Sequence, residues 1–128
     1  MTSKMLFVSS DAENAGCLLK ILNRASIDLD YATDLLEAQR LFRRNRYVAV
    51  VTAAELPDGT WEDALKLAQE LPSSPPVIVT SPFGDAELWA ETLGRGVYDL
   101  LAQPFDAAEV VRILKSTLKA AAACAASR

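Results

Sequence analysis

Residues 47–59 read YVAVVTAAELPDG, a short apolar run that ends in a Pro-Asp-Gly turn. The run from Tyr47 to Val51 has the length and the β-branched content of a buried strand, and the turn predicts where the strand stops. Open α/β sheets place their working groups at the carboxyl ends of such strands. In this chain that position holds Ala53, whose methyl group can neither donate nor accept a hydrogen bond and cannot act as a nucleophile.

Four other segments have strand character: Met5–Val8, Val77–Val79 and Val97–Leu101, and a weaker one at Asp28–Thr33. The stronger runs are almost continuously apolar, as expected of strands covered on both faces. Segments of helical periodicity alternate with them. Five strands alternating with five helices predict an α/β protein with a parallel sheet and helices on both faces.

The helical segments carry local start and stop signals. Asp34 and Asp106 each precede a helix and have a glutamate three residues on, an acidic variant of the capping box. A third helix is predicted to begin near Thr60, and a fourth spans Asp85–Arg95 before a Gly96 cap. The first helix is predicted to turn one apolar face inward, and that face comprises Ala15, Leu18, Leu19 and Leu22.

Length and composition predict one domain. The 128 residues are 51% apolar, enough for a single core, which we place in residues 1–119. We expect residues 120–128 to form an alanine-rich helix end or tail. The net charge of −4, without a long block of like charge, argues against nucleic acid as a partner. The chain has no histidine, which excludes a histidine phosphocarrier and histidine-ligated zinc.

Cysteine usage and hydropathy predict the compartment. Cys17 and Cys124 are far apart in the sequence and lack metal-ligand spacing, which is typical of a reducing cytosol. The sequence contains no apolar run of membrane-spanning length and no signal-peptide pattern. We therefore expect a cytoplasmic protein with no membrane association.

From KMLFVSSD through YVAVVTAAELPDG and PPVIVTSP to GVYDLLAQPFDAAEV, the chain resembles the response-regulator receiver domain of bacterial two-component signalling. The resemblance covers nearly the whole chain. It implies a flavodoxin-like (CheY-like) doubly wound fold with the strand order 2-1-3-4-5. The family's acidic pair falls on Ser9 and Ser10, its phosphoacceptor aspartate on Ala53, its hydroxyl on Ser81 and its lysine on Gln103.

Only Ser81 keeps the family's residue type in this pocket. Phosphoryl transfer needs a carboxylate nucleophile, oxygen ligands for magnesium and a cation to neutralise charge. The sequence therefore predicts a degenerate, non-catalytic receiver without metal or cofactor. Two alternatives remain open: a phosphorylatable receiver that uses a displaced carboxylate of Asp11, Glu55 or Asp58, and a flavin or nucleotide carrier. The acidic side chains of Asp11 and Glu13 disfavour a phosphate at the first loop.

The resemblance also implies a surface for partners, formed by the fourth predicted helix, the fifth predicted strand and the fifth predicted helix. We place Trp89 there as an apolar anchor, Leu100 beside it at the family's aromatic switch position, and Asp99 with Arg112 as a charge pair across a two-fold dimer. The partner is expected to be a sensor kinase, an output domain, another regulator or a second copy. The family's cis proline falls on Pro104. The other tryptophan, Trp61, is expected to pack in the core.

Overall fold

The computed structural model describes residues 4–72, 74–81, 90–92, 94–102 and 105–126. The strands in this part of the chain are β1 (Lys4–Val8), β2 (Asp28–Ala32), β3 (Ala49–Ala53), β4 (Glu55–Leu56), β5 (Gly59–Thr60), β6 (Val77–Ser81) and β7 (Asp99–Ala102). Five of them form a parallel sheet in the order β2-β1-β3-β6-β7, and β4 and β5 form a small antiparallel hairpin. With the hairpin set aside, this is the predicted order 2-1-3-4-5.

The helices described over their full length are α1 (Ala12–Arg24), α2 (Leu35–Arg44), α3 (Trp61–Glu70) and α4 (Ala107–Ala126). Residues 90–92 are also helical, in agreement with the predicted helix Asp85–Arg95, most of which lies outside the described residues. Gly96 has a φ of +101°, and the Val97 N–H donates to the Thr92 carbonyl. The predicted glycine cap is therefore confirmed. Residues 120–126 continue α4, and the domain boundary at residue 119 stays a prediction.

The strands alternate their side chains between two cores, one on each face of the sheet. Leu6 and Val8 pack on the face that α2 and α3 cover, together with the buried Trp61, whose predicted core role is confirmed. Met5 and Phe7 pack on the opposite face, which α1 and α4 cover. Because both faces are covered, β1, β3 and β6 are buried along almost all of their length, as their continuous apolar runs predict.

Some predicted boundaries are displaced. β3 begins at Ala49 instead of Tyr47, and β7 at Asp99 instead of Val97. Tyr47 and Val97 are nevertheless buried, and an apolar pattern does not separate a buried residue before a strand from a residue within it. Leu19, predicted to face inward, is 50% exposed. The inward face of α1 is narrower than predicted, because Ala15, Leu18 and Leu22 already cover its contact with the sheet.

Candidate functional site at the carboxyl edge of the sheet

The register of the sheet brings the predicted pocket positions to one edge. The strand pairs place Val8 beside Thr52, Ala53 beside Thr80, and Ser81 beside Ala102. Ser9, Ala53 and Ser81 consequently lie at neighbouring strand ends, and we call this edge the carboxyl edge. Gln103 and Pro104 follow β7 directly, but both lie outside the described residues. The predicted cis geometry of Pro104 therefore stays a prediction.

The first loop of the carboxyl edge is organised as a helix cap. The Ser9 side chain is 2% exposed, and its hydroxyl accepts a hydrogen bond from the Asp11 N–H at 3.1 Å. The Asp11 carboxylate accepts from the N–H groups of Glu13 at 3.0 Å and Asn14 at 3.2 Å, so Asp11 is the N-cap of α1. Ser10 is exposed. The oxygens of Ser9 and Asp11 are thus engaged in starting the helix.

The centre of the carboxyl edge consists of Ala53 and neutral hydroxyls. Ala53 is half-buried, and the neighbouring Thr52 and Thr80 are fully buried. The Thr52 hydroxyl donates to the Ala53 carbonyl at 3.0 Å, and the Thr80 hydroxyl donates to the Thr52 carbonyl at 3.5 Å. Ser81 is buried as well. The sequence analysis missed both threonines, although a hydroxyl within an otherwise apolar strand could have marked each of them.

The Asp58 carboxylate, close to Ala53 in sequence, caps α2, which begins 23 residues earlier in the chain. Asp58 lies in the turn between β4 and β5, as predicted, but its carboxylate also accepts from the N–H groups of Leu35 at 2.9 Å and Leu36 at 3.2 Å. Asp34 accepts from the next N–H group, that of Glu37, at 2.8 Å. Two carboxylates therefore satisfy the first three N–H groups of α2, and negative charge at this helix end is favourable.

The same turn is fitted closely against α3. Asp63 accepts from the Thr60 N–H at 3.0 Å, and the Thr60 hydroxyl accepts from the Glu62 N–H at 3.3 Å, which completes a capping box. A Cβ atom at Gly59 would overlap the Asp63 carboxylate and the Leu35 side chain. A side chain at position 59 would therefore force Asp63 or Leu35 to shift, and glycine permits the close approach without that shift.

The oxygen atoms at the carboxyl edge do not match the magnesium site that the family resemblance implies. Mg²⁺ needs several converging oxygen ligands, usually with at least one carboxylate. Ser9 and Ser10 carry no charge, and the carboxylates of Asp11 and Asp58 already accept backbone N–H groups. Over the described ranges, no group of three aspartate, glutamate, cysteine or histidine side chains is placed to hold a metal ion.

The electrostatic environment of the carboxyl edge is acidic. Burial, followed by the negative charges of Asp11 and Glu37, raises the pKa of Tyr31 in β2 above its ordinary value. The same charges disfavour an anionic group beside the first loop. This observation weighs against a flavin or nucleotide phosphate at Ser9 and Ser10.

The predicted partner surface is only partly accessible. Arg112 is exposed on α4, and Asp99 is half-buried with its carboxylate accepting from the Leu100 N–H at 2.7 Å. Leu100 is 5% exposed and belongs to the core beside α2 and α3, so its placement on the surface was wrong. The reason is the strand alternation, which turns Leu100 inward.

Trp89 lies outside the described residues. Tyr98, which the sequence analysis missed, is exposed, and its hydroxyl lies 3.1 Å from that of Ser116.

Two curated relatives are similar to the chain over most of its length. The response regulator protein PilR of Pseudomonas aeruginosa is 25% identical over 116 residues, which are 91% of this chain and 26% of PilR. The transcriptional regulatory protein CusR of Escherichia coli K12 is 25% identical over 120 residues, which are 94% of this chain and 53% of CusR. The chain thus spans between about a quarter and about half of these relatives. No family model matches the sequence.

Solved structures share the fold. A signal receiver domain of an HD domain-containing protein from Pseudomonas fluorescens matches with a TM-score of 0.85 and 25% identity, over 95% of this chain and 90% of that domain. A two-component response regulator from Clostridium difficile gives 0.82 and 22%, over 92% and 97%. The beryllofluoride-activated NtrC4 receiver domain, a dimer, gives 0.84 and 21%, over 92% and 98%.

The strand order and these structural matches define a CheY-like α/β fold. Together with the sequence similarity to PilR and CusR, the fold strongly supports a response-regulator receiver domain of two-component signalling. Across the described residues, no helix is both long enough and apolar enough to span a membrane.

Proposed function

We propose that this receiver domain is degenerate: it does not accept a phosphoryl group and acts in signalling by binding protein. The observation that carries the proposal is the side chain at position 53. The family's phosphoacceptor falls on Ala53 at the end of β3, where a methyl group offers no nucleophile. The domain is accordingly an interaction module and not an enzyme.

The surroundings of Ala53 support the proposal. A displaced carboxylate would have to reach the strand ends and leave its present hydrogen bonds. Asp11 and Asp58 each accept two backbone N–H groups at helix starts, and releasing either would leave those N–H groups unsatisfied. Glu55 is exposed on β4, and a single carboxylate there would still lack the family's acidic pair and lysine, which are Ser9, Ser10 and Gln103 here.

The partner-binding face is proposed to comprise the helix predicted at Asp85–Arg95, together with β7 and α4. β7 is an edge strand of the sheet, Arg112 and Tyr98 are exposed beside it, and aromatic and arginine side chains are enriched at interface hot spots. Trp89 remains the proposed apolar anchor. Because the aromatic position of the family is the buried Leu100 here, the face is expected to keep one state instead of switching. A sensor kinase, an output domain, another regulator or a second copy would bind it.

A magnesium titration tests the proposed loss of the pocket. Trp61 is a suitable reporter because its backbone N–H donates to the Ala54 carbonyl at 3.1 Å, one residue from Ala53. We expect millimolar Mg²⁺ to leave the tryptophan fluorescence unchanged in the wild type, while Ser10→Asp/Ala53→Asp, which introduces two carboxylates, gains a response. A magnesium response of the wild type would favour the displaced-carboxylate alternative. Absorption of flavin in the purified protein would favour the carrier.

A further inference from the structure

The edge of the sheet where the strands begin, which we call the amino-terminal edge, lies opposite the carboxyl edge. It carries a cleft of about 510 Å³ between the ends of α2 and α3. We call it the arginine cleft. Its apolar lining comes from Phe42, Tyr47 and Leu71, and its charged lining comes from Arg43, Arg44 and Arg46. All three arginines are exposed, as is Arg40 one turn earlier on α2. The cleft therefore combines an apolar floor with a cationic rim.

A ring contact and a hydrogen bond position the floor of the arginine cleft. Tyr47 packs edge-to-face on Phe42, with ring centroids 5.8 Å apart and planes at 76°. The Tyr47 hydroxyl donates to the Asp30 carboxylate at 2.7 Å, and the Lys4 ammonium lies 3.4 Å from the same carboxylate. A preformed apolar surface of this kind lowers the entropic cost of binding.

Among the described residues, no carboxylate forms an ion pair with the arginines on the rim of the cleft. The ion pairs found in the described part of the chain are Lys4–Asp30 and Arg95–Glu62, and none of the cleft arginines belongs to them. The Asp30 carboxylate accepts a hydrogen bond from the cleft residue Tyr47 and already forms an ion pair with Lys4. Arg43 and Arg44 also complement the negative end of the α2 dipole. Arg46 lies beyond the helix, so helix stabilisation does not account for its position.

We propose that the arginine cleft docks an acidic peptide segment of a partner protein. An apolar side chain of that segment would lie on the floor formed by Phe42, Tyr47 and Leu71, between carboxylates that meet Arg43, Arg44 and Arg46. Charge complementarity selects this occupant, since the cleft is a local cationic site on a chain whose net charge is −4. This interaction surface is distinct from the proposed face on β7 and α4, so either can fail alone.

Fluorescence anisotropy with a labelled peptide tests the docking site. The probe is a short peptide with one phenylalanine flanked by glutamates. We expect binding that weakens as salt rises and that falls on the order of tenfold in Arg43→Glu/Arg44→Glu. Arg46→Glu should also weaken binding, and since it lies outside α2 it keeps the test valid if the double variant does not fold. Replacing phenylalanine by serine in the peptide should weaken binding too.

Lys20→Glu/Arg24→Glu is the matched control. These two residues line a second cleft, of about 750 Å³, between α1 and α4, so the control makes the same charge change beside another groove. The peptide should bind this variant as it binds the wild type. Loss of binding in the control but not in the Arg43/Arg44 variant, binding independent of all these arginines, or tighter binding of duplex DNA or of anionic lipid vesicles than of the peptide would overturn the proposal.

Discussion

The two edges of the sheet differ in what their polar groups do. At the carboxyl edge, where this fold normally holds its chemistry, Ser9, Asp11 and Asp58 all accept backbone N–H groups, and the central side chain is the methyl group of Ala53. At the amino-terminal edge, the arginines of the cleft are exposed and outside the ion pairs of the described residues. The polar groups of the carboxyl edge thus serve as helix caps, whereas the arginines of the other edge form no ion pair with any described residue.

The largest expected effect concerns the amino-terminal edge. Tyr47→Phe removes the 2.7 Å hydrogen bond to the Asp30 carboxylate and leaves that group with Lys4 alone. We expect the free energy of unfolding to fall by about 2 kcal/mol, because hydrogen bonds to charged groups are among the stronger ones. Urea denaturation measures the change. Tyr98→Phe, which removes an exposed hydroxyl beside Ser116, is the control and should cost less than about 0.5 kcal/mol. An equal loss in the free energy of unfolding for both variants would mean that the Tyr47–Asp30 hydrogen bond does not stabilise the fold more than an exposed one.

A somewhat smaller effect is expected from the turn at the carboxyl edge. Gly59→Ala places a methyl group against Asp63 and Leu35, which should destabilise the fold by about 1.5 kcal/mol through overpacking. Gly16→Ala in α1 has no atom within 4 Å of the new Cβ, and it should stabilise the protein by about 0.5 kcal/mol because alanine favours helix. Thermal unfolding of both variants should show shifts of opposite sign. A neutral Gly59→Ala would mean that the turn is not closely packed.

The capping role of Asp58 has a smaller predicted contribution. Asp58→Ala leaves the N–H groups of Leu35 and Leu36 without their carboxylate partner, and the expected loss in the free energy of unfolding is about 1 kcal/mol. Glu55→Ala, an exposed acidic residue three positions earlier, should change it by less than about 0.5 kcal/mol. If Asp58→Ala matched this control, the carboxylate would be free for other chemistry.

The fourth prediction concerns alkaline pH. Burial and the hydrogen bond to Asp30 raise the pKa of Tyr47 above its ordinary value of 10.0. A folded-state pKa above the unfolded one stabilises the fold fully below the unfolded pKa, and this contribution is lost as pH rises above 10 toward the folded pKa. The stability difference between wild type and Tyr47→Phe should therefore shrink above pH 10. A difference that stays constant up to pH 11 would contradict the shift.

Sequence patterns predicted the elements and the neighbours at the carboxyl edge, because strand order and strand ends follow from local periodicity and the βα alternation. Ser9, Ala53 and Ser81 lie at neighbouring strand ends for this reason. The long-range contacts were not predictable. Asp58 caps a helix that begins 23 residues earlier, and the Tyr47 hydroxyl donates a hydrogen bond to Asp30 on β2. No local sequence pattern predicts either hydrogen bond. The prediction that Leu100 lies on the surface was wrong. Matching Leu100 to the family's aromatic position gives its place in the strand, but it does not determine how exposed a leucine is there.

Mass spectrometry of the intact protein tests the central claim most directly. The wild type and Ala53→Asp are incubated with Mg²⁺ and a small-molecule phosphodonor. We expect neither to gain a phosphoryl group, since Ala53 has no nucleophile and the single variant still lacks the acidic pair and the lysine at positions 9, 10 and 103. A stoichiometric, acid-stable and base-labile mass gain in the wild type would contradict the account, and robust phosphorylation of Ala53→Asp would show that the pocket was kept.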